Sequence, residues 1–162
     1  MSLDASTSLA PNKRAGISVE VAISTDHVPQ LQLVPDSVAQ HYDAVATGLV
    51  QPSADLPHVG ICLLERGTIV EIKSVVTTYA DGRRGRFYVR PEQHQRLLDD
   101  AGVYLFVVCR DSFDRDPLAI KVVPATIVDD VIGEWNSGGD GRSDYVQVSW
   151  GRIFDPEEVD GC

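Results

Sequence analysis

Hydrophobic residues recur at two periods along the chain, and these periods predict most of the secondary structure. "ISVEVAIS" (17–24) alternates apolar with polar and predicts a strand. In "PDSVAQHYDAVATGLVQP", Val38, Tyr42, Val45 and Leu49 share a helical face, Asp36 is an N-cap candidate and Gly48 to Pro52 ends the run, so a helix is expected. "VGICLL" and "IVEIKSVV", joined by "ERGT", predict a β-hairpin that turns at Arg66-Gly67. "RFYVR" is a third strand. "PEQHQRLLDDAG" is a helix with Pro91 at its first position and Gly102 past its end. "VYLFVVC" is apolar throughout and predicts a buried central strand. "LAIKVV" is a strand, "PATIVDDVIGEW" a helix, "NSGGDGRSD" a loop and "YVQVSW" a last strand before an acidic tail. The expected fold class is α/β: a mixed β-sheet with helices on both faces. Residues 17–162 form one domain behind a loose polar segment, 1–16.

One strand breaks its own pattern. Glu71 and Lys73 interrupt "IVEIKS", and residues two apart on a strand share a face about 6.6 Å apart. They therefore point one way, while Val70 and Ile72 point into the opposite layer. A carboxylate on a rigid strand can hold a hard cation, and a lysine beside it can orient a water or neutralise phosphate charge. The competing reading is a surface ion pair on an edge strand.

Charge sharpens the choice. The chain carries 24 acidic and 14 basic residues, a net charge of −10, and Lys13, Lys73 and Lys121 are its only lysines. Acidity on this scale opposes nucleic-acid binding unless positive charge is local. It is local in "DGRRGRFYVR", which holds Arg83, Arg84, Arg86 and Arg90. The acid-rich, lysine-poor composition resembles that of proteins from salt-in halophilic archaea.

The order of elements, "AD" at Ala54-Asp55, "VEIKS" at 70–74, "RRGRF", and "EQHQRLL" leading into "GVYLFVV" together resemble the PD-(D/E)xK nuclease superfamily. That superfamily has the restriction-endonuclease-like fold and includes archaeal Holliday-junction resolvases. The resemblance implies an α-β-β-β-α-β core, here followed by C-terminal strands and a helix, and phosphodiester hydrolysis assisted by Mg²⁺ or Mn²⁺. By position it implies Asp55 and Glu71 as metal ligands, Lys73 as the residue assisting the water, Gln93 as its contact, and Arg83, Arg84 and Arg86 on the DNA backbone. The implied partner is duplex or branched DNA, with a homodimer suiting double-strand cutting. A fold of this kind that has lost catalysis, serving as a nucleic-acid-binding or protein-assembly module, is the alternative.

The resemblance leaves an acid to place. A regular hairpin puts Cys62 opposite Glu71, so Asp55 must return through an irregular "DLPHVG" segment. The leading helix lacks the glutamate often found there in this superfamily; His41 or Asp43 could substitute, but both are read as helix-surface residues, as is His94, and His58 as a loop residue. Ser74 and Thr77 have no Ser-His-Asp signature around them. Trp135 and Trp150 are read as core or interface anchors. "GGDG" opens no helix and is not a phosphate loop. The three cysteines show neither zinc nor disulfide spacing, and Cys62 and Cys109 are expected as buried apolar residues. With no apolar h-region and no run of roughly 20 apolar residues, a cytoplasmic, non-membrane protein is expected.

Overall fold

The computed structural model describes residues 19–21, 23–24, 31–38, 42–47, 64–112 and 115–159. The expected loose segment 1–16, and the residues His41, Asp55, His58 and Cys62, lie outside the described residues.

Five strands form the main sheet in the order β1-β2-β3-β5-β6: β1 (Leu31–Leu33), β2 (Ala44–Ala46), β3 (Ile69–Val76), β5 (Val103–Cys109) and β6 (Pro117–Pro124). The β3–β5 pair is parallel and the others are antiparallel, giving the expected mixed sheet. All seven residues of β5 are buried, as its unbroken apolar run requires. Between β3 and β5 the chain makes β4 (Arg86–Val89) and helix α1 (Pro91–Asp99). Pro91 opens α1, where a missing N–H costs nothing. Gly102 follows it, and a Cβ there would lie 2.6 Å from Leu97 Cδ1 and 2.8 Å from Ile69 Cγ1, so only glycine lets the helix end close onto β3.

Two apolar layers flank the sheet. One gathers Val75, Tyr104, Phe106, Val108 and Ala119 with Leu97 of α1, with Ala125 and Val128 of helix α2 (Ala125–Val131), and with Phe87 and Val148. The other gathers Val70, Ile72, Leu105, Val107 and Ile120 with Val19 and Ile23.

Several expectations are corrected. Residues 19–21 are helical rather than extended; Val19 and Ile23, four apart, are buried, while the intervening Val21 is exposed. The helix expected over 36–52 is absent from the described part of that stretch. Residues 36–38 form a turn with Val38 74% exposed, and 44–46 are strand. Pairing on both sides, with Leu31–Leu33 and with Ile69–Val70, overrides the helical spacing. The turn at Arg66-Gly67 forms, with Thr68 N donating to Glu65 O and Gly67 at φ +89°. Of its expected partner strand only Leu64 is among the described residues; Val70 pairs with Ala44 and with Val103. "RFYV" is a strand, but it joins β7 (Val146–Ser149) in a separate two-stranded ribbon. Helix α2 is shorter than expected, ending at Val131.

Candidate active site

Alternation along β3 sorts its side chains. Val70 and Ile72 enter the apolar layer behind the sheet, and Glu71, Lys73 and Val75 face α1 and the ribbon. Glu71 is 3% exposed, so the surface ion-pair reading fails for it. Lys73 Nζ lies 2.9 Å from Glu71 Oε1 and donates to Gln93 Oε1, also at 2.9 Å. Gln93 comes from the first turn of α1, the element that Pro91 starts. The structure thus brings together three of the four residues named by the resemblance as catalytic; the fourth, Asp55, lies outside the described residues.

A carboxylate that the sequence reading set aside completes the cluster. Asp43 is half-buried at the start of β2, not on a helix surface. Its backbone is held on both sides: its N–H donates to Val70 O at 2.9 Å, and its carbonyl accepts from Val34 N at 2.7 Å. Its carboxylate Oδ2 accepts the Ile72 N–H at 2.7 Å, occupying the ladder position opposite that amide. The Asp43 and Glu71 carboxyls consequently interact directly. Burial raises both above the ordinary carboxylate range. Glu71 is pushed up to about 8, with the Asp43 charge adding to the rise and Lys73 opposing it. For Asp43, the Ile72 N–H and Lys73 work against the burial effect.

Glu71 Oε2 is buried and accepts no hydrogen bond. A buried carboxylate oxygen without a donor, against a second carboxyl, carries an uncompensated desolvation cost. A hard divalent cation is the group that fits it. Mg²⁺ in particular is held by one or two carboxylates, with water and phosphate oxygens completing its shell. Among the described residues no group of three or more His, Cys, Asp or Glu is placed to hold a metal ion.

Next to the cluster runs a second polar chain, from the buried Tyr104 and His94 to the exposed Asp129. His94 is 2% exposed, contrary to its reading as a helix-surface residue. Its Nδ1 lies 2.8 Å from Tyr104 Oη and its Nε2 2.9 Å from Asp129 Oδ1. His94 lies three residues before Leu97 on the buried side of α1, a spacing that marks its face in the sequence. Tyr104 pairs with Glu71 across β3–β5, and burial together with the Glu71 charge raises its phenol well above the ordinary range.

The arginines separate into different environments. Arg83 binds Asp81 through its Nε (2.7 Å) and its backbone N–H (3.0 Å). Arg84 lies over the Trp150 ring at 4.9 Å. Trp150 is buried and donates its indole N–H to Thr77 O at 2.8 Å, so it is a core anchor, whereas Trp135 is partly exposed. Arg86 alone of the three expected DNA contacts lines the cleft of about 310 Å³ beside Lys73, with Ser74, Tyr88, Arg90 and Gln93. Cys109 is buried and free, its thiol pushed up to about 11 by burial, as expected of an apolar core cysteine.

A mixed sheet bearing E-x-K beside a second carboxylate, with a glutamine from the following helix on the lysine, defines a restriction-endonuclease-like domain. A family model described as a PD-(D/E)XK nuclease superfamily domain matches residues 5–155, and the chain belongs to that superfamily. No curated protein and no solved structure matches it significantly. No helix among the described residues is long and apolar enough to cross a membrane.

Proposed function

We propose that this protein is a divalent-metal-dependent endonuclease that hydrolyses DNA phosphodiester bonds. The observation that carries the reading is the carboxyl pair of the buried Glu71 and the half-buried Asp43, with Lys73 against Glu71 and Gln93 on Lys73. Asp43 and Glu71 would hold the ion, with Asp43 in the role that the resemblance gave to Asp55. The bound ion, Mg²⁺ or Mn²⁺, supplies a water of lowered pKa and neutralises charge on the phosphate. Lys73 orients the attacking water and meets the developing negative charge. Gln93 fixes the Lys73 ammonium, so that its donors converge on the cleft. Arg86 and Arg90 grip the phosphate backbone without reading sequence.

The acid-rich composition supports a halophilic source, archaeal or viral, and with it activity at high salt. On that reading folding needs screening of self-repulsion, and DNA binding rests on few phosphate contacts. On this reading the substrate is duplex or branched DNA, and a two-fold dimer would supply paired sites for cutting both strands. The protein acts in the cytoplasm on this account.

The test is cleavage of plasmid and branched DNA with and without Mg²⁺. The wild type should cut only with the metal, and Asp43→Asn, Glu71→Gln and Lys73→Ala should each lower cleavage by about 10³-fold or more. Folded wild type that binds DNA but cuts nothing with either Mg²⁺ or Mn²⁺ would return the chain to the non-catalytic alternative.

A further inference from the structure

Strand β4 carries a row that the hydrolytic chemistry does not use. Phe87 and Val89 are buried, whereas Arg86, Tyr88 and Arg90 are exposed on the other face, spaced about 6.6 Å apart. Tyr88 is 41% exposed. Its ring stacks on Tyr145 beside β7, with centroids 4.9 Å apart and planes 11° from parallel. The Arg90 guanidinium lies 5.8 Å from the Tyr88 centroid, at the outer limit of a cation–π contact and loose enough for another planar group to replace. Arg86 and Tyr88 of β4, and Arg90 just past its end, all line the cleft that contains Lys73 and Gln93.

A cross-strand tyrosine pair can serve the ribbon alone. Two observations point outward instead. In a protein of net charge −10, the charged residues lining this cleft among the described residues, Lys73, Arg86 and Arg90, are all cations. The exposed tyrosine also sits between two of them, the arrangement that binds a polyanion bearing flat rings. A paired base offers a protein only its groove edges, because its faces are taken by its neighbours. A tyrosine face can be used only by a base outside the stack.

We propose that the Arg86–Tyr88–Arg90 ridge, backed by Tyr145, is a stacking platform for an unpaired nucleobase, so that the substrate carries a single-stranded segment next to the scissile phosphate. This rests on the nuclease reading above and narrows it: the class of DNA is frayed, flapped or branched rather than continuous duplex.

The test measures binding in the presence of chelator, at a salt concentration where the protein is folded. The probes are a short oligothymidine, a blunt duplex, and the same duplex with a single-stranded flap. The wild type should prefer the flapped over the blunt duplex. Tyr88→Ala should weaken oligothymidine and flap binding about tenfold, the effect of one lost base stack, while leaving blunt-duplex binding and the melting temperature unchanged. Tyr88→Phe should bind like wild type. Equal binding of blunt and flapped duplexes by the wild type, or a Tyr88→Ala effect that is absent or equal for all three probes, overturns the platform. If Mg²⁺-dependent cleavage persists in that case, the nuclease reading stands without it; if no DNA is bound or cut, both fall.

Discussion

The two faces of β3 obey opposite rules. Behind the sheet, Val70 and Ile72 belong to a cluster of buried apolar residues that gain from leaving water. In front, one residue along, the same strand holds a glutamate with an unpaired buried oxygen and a lysine, and Asp43 sets a second carboxyl against the glutamate. Burying these groups works against folding unless a ligand completes them. The contrast separates two physical roles on one strand: one face gains from burial, and the other holds polar groups whose burial costs stability.

The largest expected effect separates the faces by what they damage. Lys73→Ala should remove cleavage and shift the melting temperature little. Ile72→Ala, one residue away, should cost about 2–5 kcal/mol of stability through the cavity it leaves, with activity falling only as the folded fraction falls. A Lys73→Ala variant that unfolds, or an Ile72→Ala variant that stays stable but inactive, would break the comparison.

A second effect is smaller and has the unusual sign. The folded protein holds the Glu71 proton more tightly than the unfolded chain does, because burial raises Glu71 from 4.5 to about 8. Stability from this group is therefore full below the ordinary glutamate range and is lost as pH rises through about 8. Glu71→Gln should abolish that slope. In metal-free buffer the variant should match wild type at acid pH and be more stable by roughly 1–3 kcal/mol above pH 8. Thermal melts across pH check this; parallel curves for the two proteins would contradict it.

The smallest effect sharpens the same contrast at the surface. Arg83 is already neutralised by Asp81, whereas Arg86 faces the cleft. Arg83→Ala should leave DNA affinity nearly unchanged. Arg86→Ala should weaken binding and lower the salt slope by about one.

The front face was only partly legible in the sequence. Glu71, Lys73 and Gln93 could be read because they lie on long elements whose period is clear, and because Pro91 fixes where α1 begins. Strand β5 was readable for the same reason, as seven uninterrupted apolar residues. Asp43 was hidden because β2 is three residues long and lies in a stretch with helical spacing; only pairing with distant chain makes it a strand. The short alternation Tyr42-Asp43-Ala44-Val45-Ala46 was the available signal. His94 was misread although its spacing from Leu97 already gave its face, but its partner Asp129, 35 residues on, could not be inferred from spacing.

The central claim is that Asp43 and Glu71 together form a divalent-cation site. Diffraction from crystals soaked in Mn²⁺, with data collected for its anomalous signal, tests this most directly. The account predicts a peak bound by carboxylate oxygens of both residues, at about 2.1–2.2 Å, on the side facing Lys73. A crystal saturated with Mn²⁺ that shows no peak there, or a peak held by Glu71 and Asp55 with Asp43 left out, would contradict it.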